Sequence, residues 1–206
     1  MSRDYALAMT LHKSIASAVQ SARQVLTMTE VGYGDFLEGG ERRYAGLVSA
    51  ITLGRSISNI IQNIRGFDAE FGNWWAVVCQ EAFDNEESGW FVKLRNRIEK
   101  QGILGASGAA VEIDSMNGND IAELYGRAPY GTTSIFLGDS LGRSGWTVTL
   151  PDGTETVVYF KIPTNVGSTS LLIEDAPGGL SIEEIFPLWL GHLRTLVAQT
   201  ETRYPV

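Results

Sequence analysis

Four basic side chains lie within eight residues of the chain and are the group best suited to chemistry on an anion. They are Lys93, Arg95, Arg97 and Lys100. An arginine guanidinium binds phosphate oxygens and stabilises the charge that develops on them. A lysine binds the same group as a point charge, but its ordinary pKa of ~10.4 makes it a poor proton acceptor at neutral pH. The cluster therefore predicts an anion site or, alternatively, a solvated helix end whose cations complement the helix dipole.

Proton transfer near neutral pH depends on histidine, of which the chain has two, His12 and His192. The helical pattern places His12 on the polar side of the first helix. It places His192 on the last helix, either as a partly buried structural residue or as a relocated proton-transfer group. Two histidines and the single Cys79 do not predict a zinc site, and Cys79 is expected to be a buried small hydrophobe. No dinucleotide-binding or phosphate-loop motif occurs, so no cofactor is predicted.

The basic cluster lies on a segment with the periodicity of an amphipathic helix. Trp90, Phe91, Leu94 and Ile98 recur on one helical face, and Gly102 occupies the position favoured just beyond a helix end. We therefore expect this helix to bury its apolar face and to leave its cations on the opposite side.

Three further long helices are predicted, over residues 7–28, 41–65 and 181–204, together with a short one near 74–79. Each long segment has apolar residues at helical spacing, and the last begins with the capping-box sequence Ser181-Ile-Glu-Glu184. Gly46 and Gly54 interrupt the second segment, where they permit close contact between helices or a bend. Pro187 predicts a kink or a restart in the last helix.

Residues 103–180 contain short strand-like runs separated by glycines. Residues 146–150 and 155–160 flank Pro151-Asp152-Gly153, which is typical of a tight turn and predicts a β-hairpin. Residues 132–137 and 169–174 are further predicted strands. We therefore predict a mainly α protein with an α+β insertion. Residues 1–102 and 181–206 would form a helical bundle of four long helices, and 103–180 a β-rich subdomain with a small antiparallel sheet inserted before the last helix.

The composition is that of an acidic globular protein. Of its 206 residues 44% are hydrophobic and 19% are charged, and the net charge is −8. Residues 1–111 carry 12 acidic and 11 basic side chains, whereas residues 112–206 carry 12 acidic and 5 basic ones. This balance disfavours stable nonspecific binding to nucleic acid, which depends on phosphate neutralisation. The absence of a long apolar run or a signal-peptide pattern leads us to expect a cytoplasmic protein that does not bind membranes.

The segment Leu94-Arg95-Asn96, with Lys100 and Gly102 behind it, resembles the signature of HEPN (higher eukaryote and prokaryote nucleotide-binding) helical proteins. In that signature three residues separate Leu-Arg-Asn from a histidine, and a glycine often follows two positions later. Here Lys100 occupies the histidine position. The resemblance covers residues 91–102 in sequence and residues 1–102 and about 181–204 in architecture. It implies an antiparallel helical bundle that commonly pairs as a homodimer. In active members an arginine and a histidine, usually from two facing protomers, cleave RNA without a metal.

The resemblance, with lysine in place of histidine, implies a degenerate, non-catalytic bacterial protein that acts as a binding or interaction module. A defence, toxin–antitoxin or accessory-gene setting is implied by the family alone. The candidate catalytic residues are Arg95, Asn96, Lys100 and His192, and the candidate ligand-binding residues are Lys93, Arg95, Arg97 and Lys100. The expected partners are a second copy of the chain, another protein, or RNA or a nucleotide, with no metal.

Two alternatives remain open at this point. One is a metal-independent ribonuclease that uses Arg95 with a relocated proton-transfer residue, either His192 or Lys100. The other is an acidic immunity-type protein that binds a basic partner through residues 112–206.

Overall fold

The computed structural model describes residues 14–105, 107–113 and 117–206, within which lie six α-helices and five strands. The helices are α1 (Ile15–Glu38), α2 (Arg43–Gln62), α3 (Phe71–Phe83), α4 (Glu86–Gln101), α5 (Gly118–Gly126) and α6 (Ile182–Arg203). The strands are β1 (Ser107–Ile113), β2 (Thr132–Phe136), β3 (Ser144–Thr149), β4 (Glu155–Phe160) and β5 (Gly167–Ile173). Short 3-10 helices cover Asn63–Gly66 and Pro177–Gly179. His12 and the predicted start of the first helix lie outside the described residues. None of the described helices is long and apolar enough to cross a membrane.

The coarse fold prediction is confirmed: the chain is mainly helical and carries antiparallel strands between α4 and α6. The predicted hairpin is also confirmed: β3 and β4 pair from Ser144 opposite Phe160 to Thr149 opposite Glu155. The expectation of a single sheet is wrong. The strands form a three-stranded sheet in the order β2-β3-β4 and a separate two-stranded sheet of β1 and β5. The sequence analysis does not predict β1 or the short helix α5.

The chain divides into two compact units. The helical unit comprises the described residues of 1–31, 48–102 and 186–206, and the β-rich unit comprises those of 32–47 and 103–185. The predicted subdomain boundaries differ from this division at residues 32–47 and 181–185, which group with the strands.

The core of the helical unit contains the apolar stripe predicted for α4. Trp90, Phe91, Leu94 and Ile98 are all buried. The ring of Phe91 stacks on that of Trp189 from α6, with 4.2 Å between the ring centroids. α4 ends as its sequence predicts, since Gly102 follows in the left-handed region with a φ of 70°. At the start of α4 the Asn85 side chain accepts a hydrogen bond from the Ser88 N–H.

Glycine allows α2 to approach its neighbours closely. A Cβ atom at Gly54 would lie 2.6 Å from Cη2 of Trp189, and one at Gly46 would lie 2.6 Å from the Gly32 carbonyl oxygen. The close contacts expected at both glycines are therefore confirmed.

The predicted restart at Pro187 is wrong, because α6 runs continuously from Ile182 to Arg203. Proline has no N–H to donate to the carbonyl four residues earlier, which here belongs to Glu183. The hydroxyl of Tyr33 donates a hydrogen bond to that oxygen at 3.3 Å. The helix tolerates Pro187 because another residue supplies the missing donor.

Arg43 is the buried polar centre of the β-rich unit. Its Nε donates to the Leu141 carbonyl at 2.9 Å, its Nη1 to the Phe36 carbonyl at 2.8 Å, and its Nη2 lies 2.6 Å from a Glu183 carboxylate oxygen. The other oxygen of Glu183 accepts the Leu171 N–H at 2.9 Å. Glu183 lies in the first turn of α6, where an acidic side chain complements the helix dipole, but it does more than that. Its carboxylate joins the start of α6 to α2 and β5.

Candidate anion-binding site in the helical unit

The four cations of α4 differ in exposure and in their contacts. Lys93 and Lys100 are exposed, whereas Arg95 and Arg97 are half-buried. Neither lysine makes a hydrogen bond or ion pair with another residue of the described segments. The exposed lysines fit the predicted solvated helix face, and the half-buried arginines do not.

Arg95 is held from one side of its guanidinium only. Its Nη1 donates to Asn96 Oδ1 at 3.2 Å and also forms an ion pair with Glu99, one helical turn later. An alternative role for Arg95 and Asn96 is to fix the bundle by hydrogen bonds to other helices. Their hydrogen bonds instead stay within α4 in the part of the chain that the structure describes.

The opposite edge of the Arg95 guanidinium has no hydrogen-bond partner among the described residues. Nε is buried and has no hydrogen-bond acceptor among the described residues, and no contact of Nη2 is found there either. Nε and Nη2 form the edge with which arginine pairs bidentately to a carboxylate or a phosphate. A buried N–H without an acceptor costs about 1–3 kcal/mol, more when the group is charged. An anion at this edge would supply the missing acceptors.

Arg55 of α2 is a second cation of this region, and the sequence analysis does not identify it. It lines a cavity of about 180 Å³ together with Ser58, Trp75, Cys79 and Phe83 among other residues. Its guanidinium donates a hydrogen bond to Ser58 Oγ. Burial lowers the pKa of Arg55, and the positive charge of Arg95 lowers it further. The two guanidinium groups are thus close enough to repel each other while both are partly removed from water.

Cys79 lies in the wall of this cavity and not in the core. The prediction of a buried thiol is wrong, since Cys79 is half-buried and its neighbour Val77 is 58% exposed, while Val78 faces inward. Partial burial raises the pKa of the Cys79 thiol, and the charge of Arg55 opposes that rise.

The structure does not join His192 to the other candidate catalytic residues. His192 is half-buried on α6 and makes no hydrogen bond or ion pair to Arg95, Asn96 or Lys100 within the described residues. Over the same ranges no group of three or more His, Cys, Asp or Glu side chains could hold a metal ion. What the structure brings together is Arg55, which lines a small, partly apolar cavity, and Arg95, whose charge acts on Arg55.

Compared with known proteins, the chain matches no family model, no curated protein and no solved structure. The chemistry of the site therefore has to be argued from its own residues.

Proposed function

We propose that the protein is a non-catalytic binding module whose helical unit holds an anionic group, a phosphate or a carboxylate, at Arg55 and Arg95. The observation that carries this proposal is the Nε–Nη2 edge of Arg95, which has no hydrogen-bond partner among the described residues and whose Nε is buried. Arg55 supplies a second positive charge nearby. An anion would offset the repulsion between the two guanidinium groups and complete the hydrogen bonds of Arg95.

The resemblance of residues 91–102 to the HEPN signature supports the same choice, because the arginine of that signature contacts phosphate. We further propose that α1, α2, α4 and α6 form the antiparallel four-helix bundle that the resemblance implies. We also propose that the bound anion belongs to RNA or a nucleotide, and that the protein acts in a bacterial defence, toxin–antitoxin or accessory-gene setting.

Catalysis is not proposed because neither candidate proton-transfer residue, His192 or Lys100, forms a hydrogen bond or ion pair with the arginines in the described part of the chain. General acid–base catalysis needs a titrating group within hydrogen-bond reach of the reacting atoms and contributes about 10²–10⁴-fold to the rate. We expect no RNA cleavage above background at neutral pH. Robust cleavage that is lost in both Arg95→Ala and His192→Ala would replace this proposal with the ribonuclease alternative.

Anion binding is tested by thermal unfolding in inorganic phosphate at constant ionic strength. A site with a Kd of about 1 mM stabilises the folded state by about 1.4 kcal/mol at about 10 mM phosphate. We expect this stabilisation in the wild type and its loss in Arg55→Gln and Arg95→Gln. The control is Lys93→Gln, which removes one exposed charge from the same helix and should keep the stabilisation. Equal stabilisation of all four proteins would show that phosphate does not bind at the arginine pair.

We further propose that the module pairs as a homodimer, as the HEPN resemblance implies. The exposed apolar side chains of the helical unit, which include Met28, Val77 and Leu188, offer surface for such a contact. Light scattering across micromolar concentrations measures the mass directly, and a monomer throughout that range would refute the dimer.

A further inference from the structure

A groove in the β-rich unit runs between strand β4 and the turn that links α1 to α2. Its volume is about 420 Å³. One wall contains Asp35, Glu38, Glu41 and Arg42, and the other contains Val157, Val158 and Tyr159.

The helical wall of the groove is acidic. Arg42 pairs with Asp35 at 2.7 Å, and Glu38 lies 3.6 Å from the Lys161 ammonium in a largely exposed contact. Glu41 is exposed and has no ion-pair partner within the described residues. The wall therefore presents three carboxylates against one guanidinium. The surrounding sequence is also negatively charged, since residues 32–47 and 103–185 together carry 14 acidic and 5 basic side chains.

The strand wall of the groove is a free sheet edge. β4 is the last strand of the order β2-β3-β4 and pairs only with β3 among the described strands. Exposed strand edges present unpaired N–H and C=O groups to which another extended chain can bond.

The register of the hairpin shows which groups of β4 face outward. The Leu150 N–H donates to the Thr154 carbonyl at 2.8 Å, and hydrogen-bonded pairs then alternate along an antiparallel ladder. The pair of Trp146 and Val158 is accordingly hydrogen-bonded, while Val157 and Tyr159 direct their backbone N–H and C=O groups away from β3. No backbone hydrogen bond of Val157 or Tyr159 to anything beyond β3 is found in the described part of the chain.

We propose that this groove binds an extended basic peptide, which adds a strand to β4 and places a lysine or arginine beside Glu38 and Glu41. Main-chain hydrogen bonds to Val157 and Tyr159 supply the affinity common to any extended chain, and the carboxylates select the charge. The three groove residues of β4 span about 10 Å, so the paired core of the peptide is three to four residues long.

The charge of the groove decides between its candidate occupants. A second copy of this chain carries a net charge of −8, and symmetric pairing of two β4 edges would bring the same carboxylates together. RNA or DNA would be repelled in the same way. The carboxylates of the helical wall favour a segment of a basic protein, and the strand edge accepts such a segment in an extended conformation. This interaction is independent of the anion site in the helical unit.

The test uses the full chain and two labelled seven-residue peptides, in which valine alternates with either lysine or glutamate. We expect the lysine peptide to bind, more weakly as salt is added, and the glutamate peptide to bind at least tenfold more weakly. Glu38→Gln with Glu41→Gln should weaken the lysine peptide at least tenfold. The matched control, Glu123→Gln with Glu174→Gln, removes the same charge from the same unit outside the groove and should change Kd less than twofold. Absence of binding at millimolar peptide would overturn the proposal, as would equal effects of the two double variants.

Strand addition is tested separately by Val157→Pro, which removes an outward N–H without removing a bond to β3. We expect at least tenfold weaker binding of the lysine peptide and an unchanged far-ultraviolet circular dichroism spectrum.

Amide hydrogen exchange in the wild type is a second test that needs no variant. The Val157 and Tyr159 amides should exchange rapidly in the free protein and slowly in the complex with the lysine peptide. Unprotected amides in the complex would overturn strand addition. Dimerisation abolished by Val157→Pro would assign the edge to a second copy and likewise overturn the proposal.

Discussion

At the scale of single residues, Gly54 shows how a missing methyl group sets the separation of two helices. The Trp189 ring occupies the space that a side chain at Gly54 would need. Glycine is unfavourable within a helix by about 1 kcal/mol relative to alanine, so its presence here reflects packing and not helix propensity.

Gly54→Ala should therefore destabilise the protein by about 1–2 kcal/mol, because overpacking against Trp189 exceeds the gain in helix propensity. Gly191→Ala is the matched control, since nothing lies within 4 Å of a Cβ atom at that helical position. It should stabilise the protein by up to about 1 kcal/mol. Urea unfolding measures both values, and shifts of the same sign would contradict the packing argument.

Tyr33 gives the fold a defined sensitivity to alkaline pH. Burial, followed by the negative charge of Glu183, raises the pKa of Tyr33 from 10.0 to about 12, while Arg43 opposes the rise. The folded state thus favours the neutral phenol. Its contribution to stability is fully present below pH 10 and is lost as the pH rises from about 10 to about 12.

Tyr33→Phe should reduce the loss of stability between neutral and strongly alkaline pH. At pH 7 the same variant should be less stable than the wild type by about 1 kcal/mol, because the Glu183 carbonyl loses its hydrogen bond. Urea unfolding at pH 8 and at pH 11 measures both effects. Tyr130→Phe is the control, since Tyr130 is 99% exposed. If it altered the pH dependence as much as Tyr33→Phe does, the effect could not be assigned to Tyr33.

At the scale of secondary-structure elements, α4 depends on its buried face more than on its charges. Leu94 is 1% exposed in the middle of that face, and Leu94→Ala should cost about 2–5 kcal/mol of stability. Leu188→Ala removes the same atoms from a helical leucine that is 49% exposed and should cost far less. A Leu94→Ala midpoint equal to that of the wild type would refute burial of this face.

The elements that sequence reasoning finds are those whose signals are local. α4 combines a helical apolar stripe with a capping residue and a terminal glycine, and the β3–β4 hairpin combines two apolar runs with Pro-Asp-Gly between them. By contrast, β1 consists largely of small residues in Ser-Gly-Ala-Ala-Val-Glu-Ile and shows no clear alternation. α5 is nine residues long, and its capping box of Asn117 and Asp120 is a signal that could have revealed it.

At the scale of the whole molecule, the sites depend on residues that are distant in sequence. Arg55 lies between Gly54 and Ser56 and is 40 positions from Arg95, so no local pattern connects the two. Arg43 and Glu183 are 140 positions apart. The sequence identifies Arg95 through its motif, but only the fold shows which of its donors are used and which cation accompanies it.

Charge is also divided unequally over the whole molecule. Residues 32–47 and 103–185 carry a net charge of −9, from 14 acidic and 5 basic residues, so a net +1 remains for the rest of the chain within the total of −8. This partition gives the two proposed ligands opposite signs. The acidic surplus of residues 112–206 therefore comes from the part of the sequence that forms the β-rich unit, which contains the open edge of β4.

The position of Cys79 makes the natural chain suitable for site-specific spectroscopy. Because the sequence contains one cysteine, a trifluoromethyl thiol reagent modifies a single site without any prior mutagenesis. Labelling is favoured by alkaline pH, since burial raises the pKa of this thiol. The attached fluorine nuclei would lie in the wall of the cavity lined by Arg55, and their chemical shift would change when a small molecule enters. The protein thus contains its own reporter for screening a chemical library by fluorine NMR.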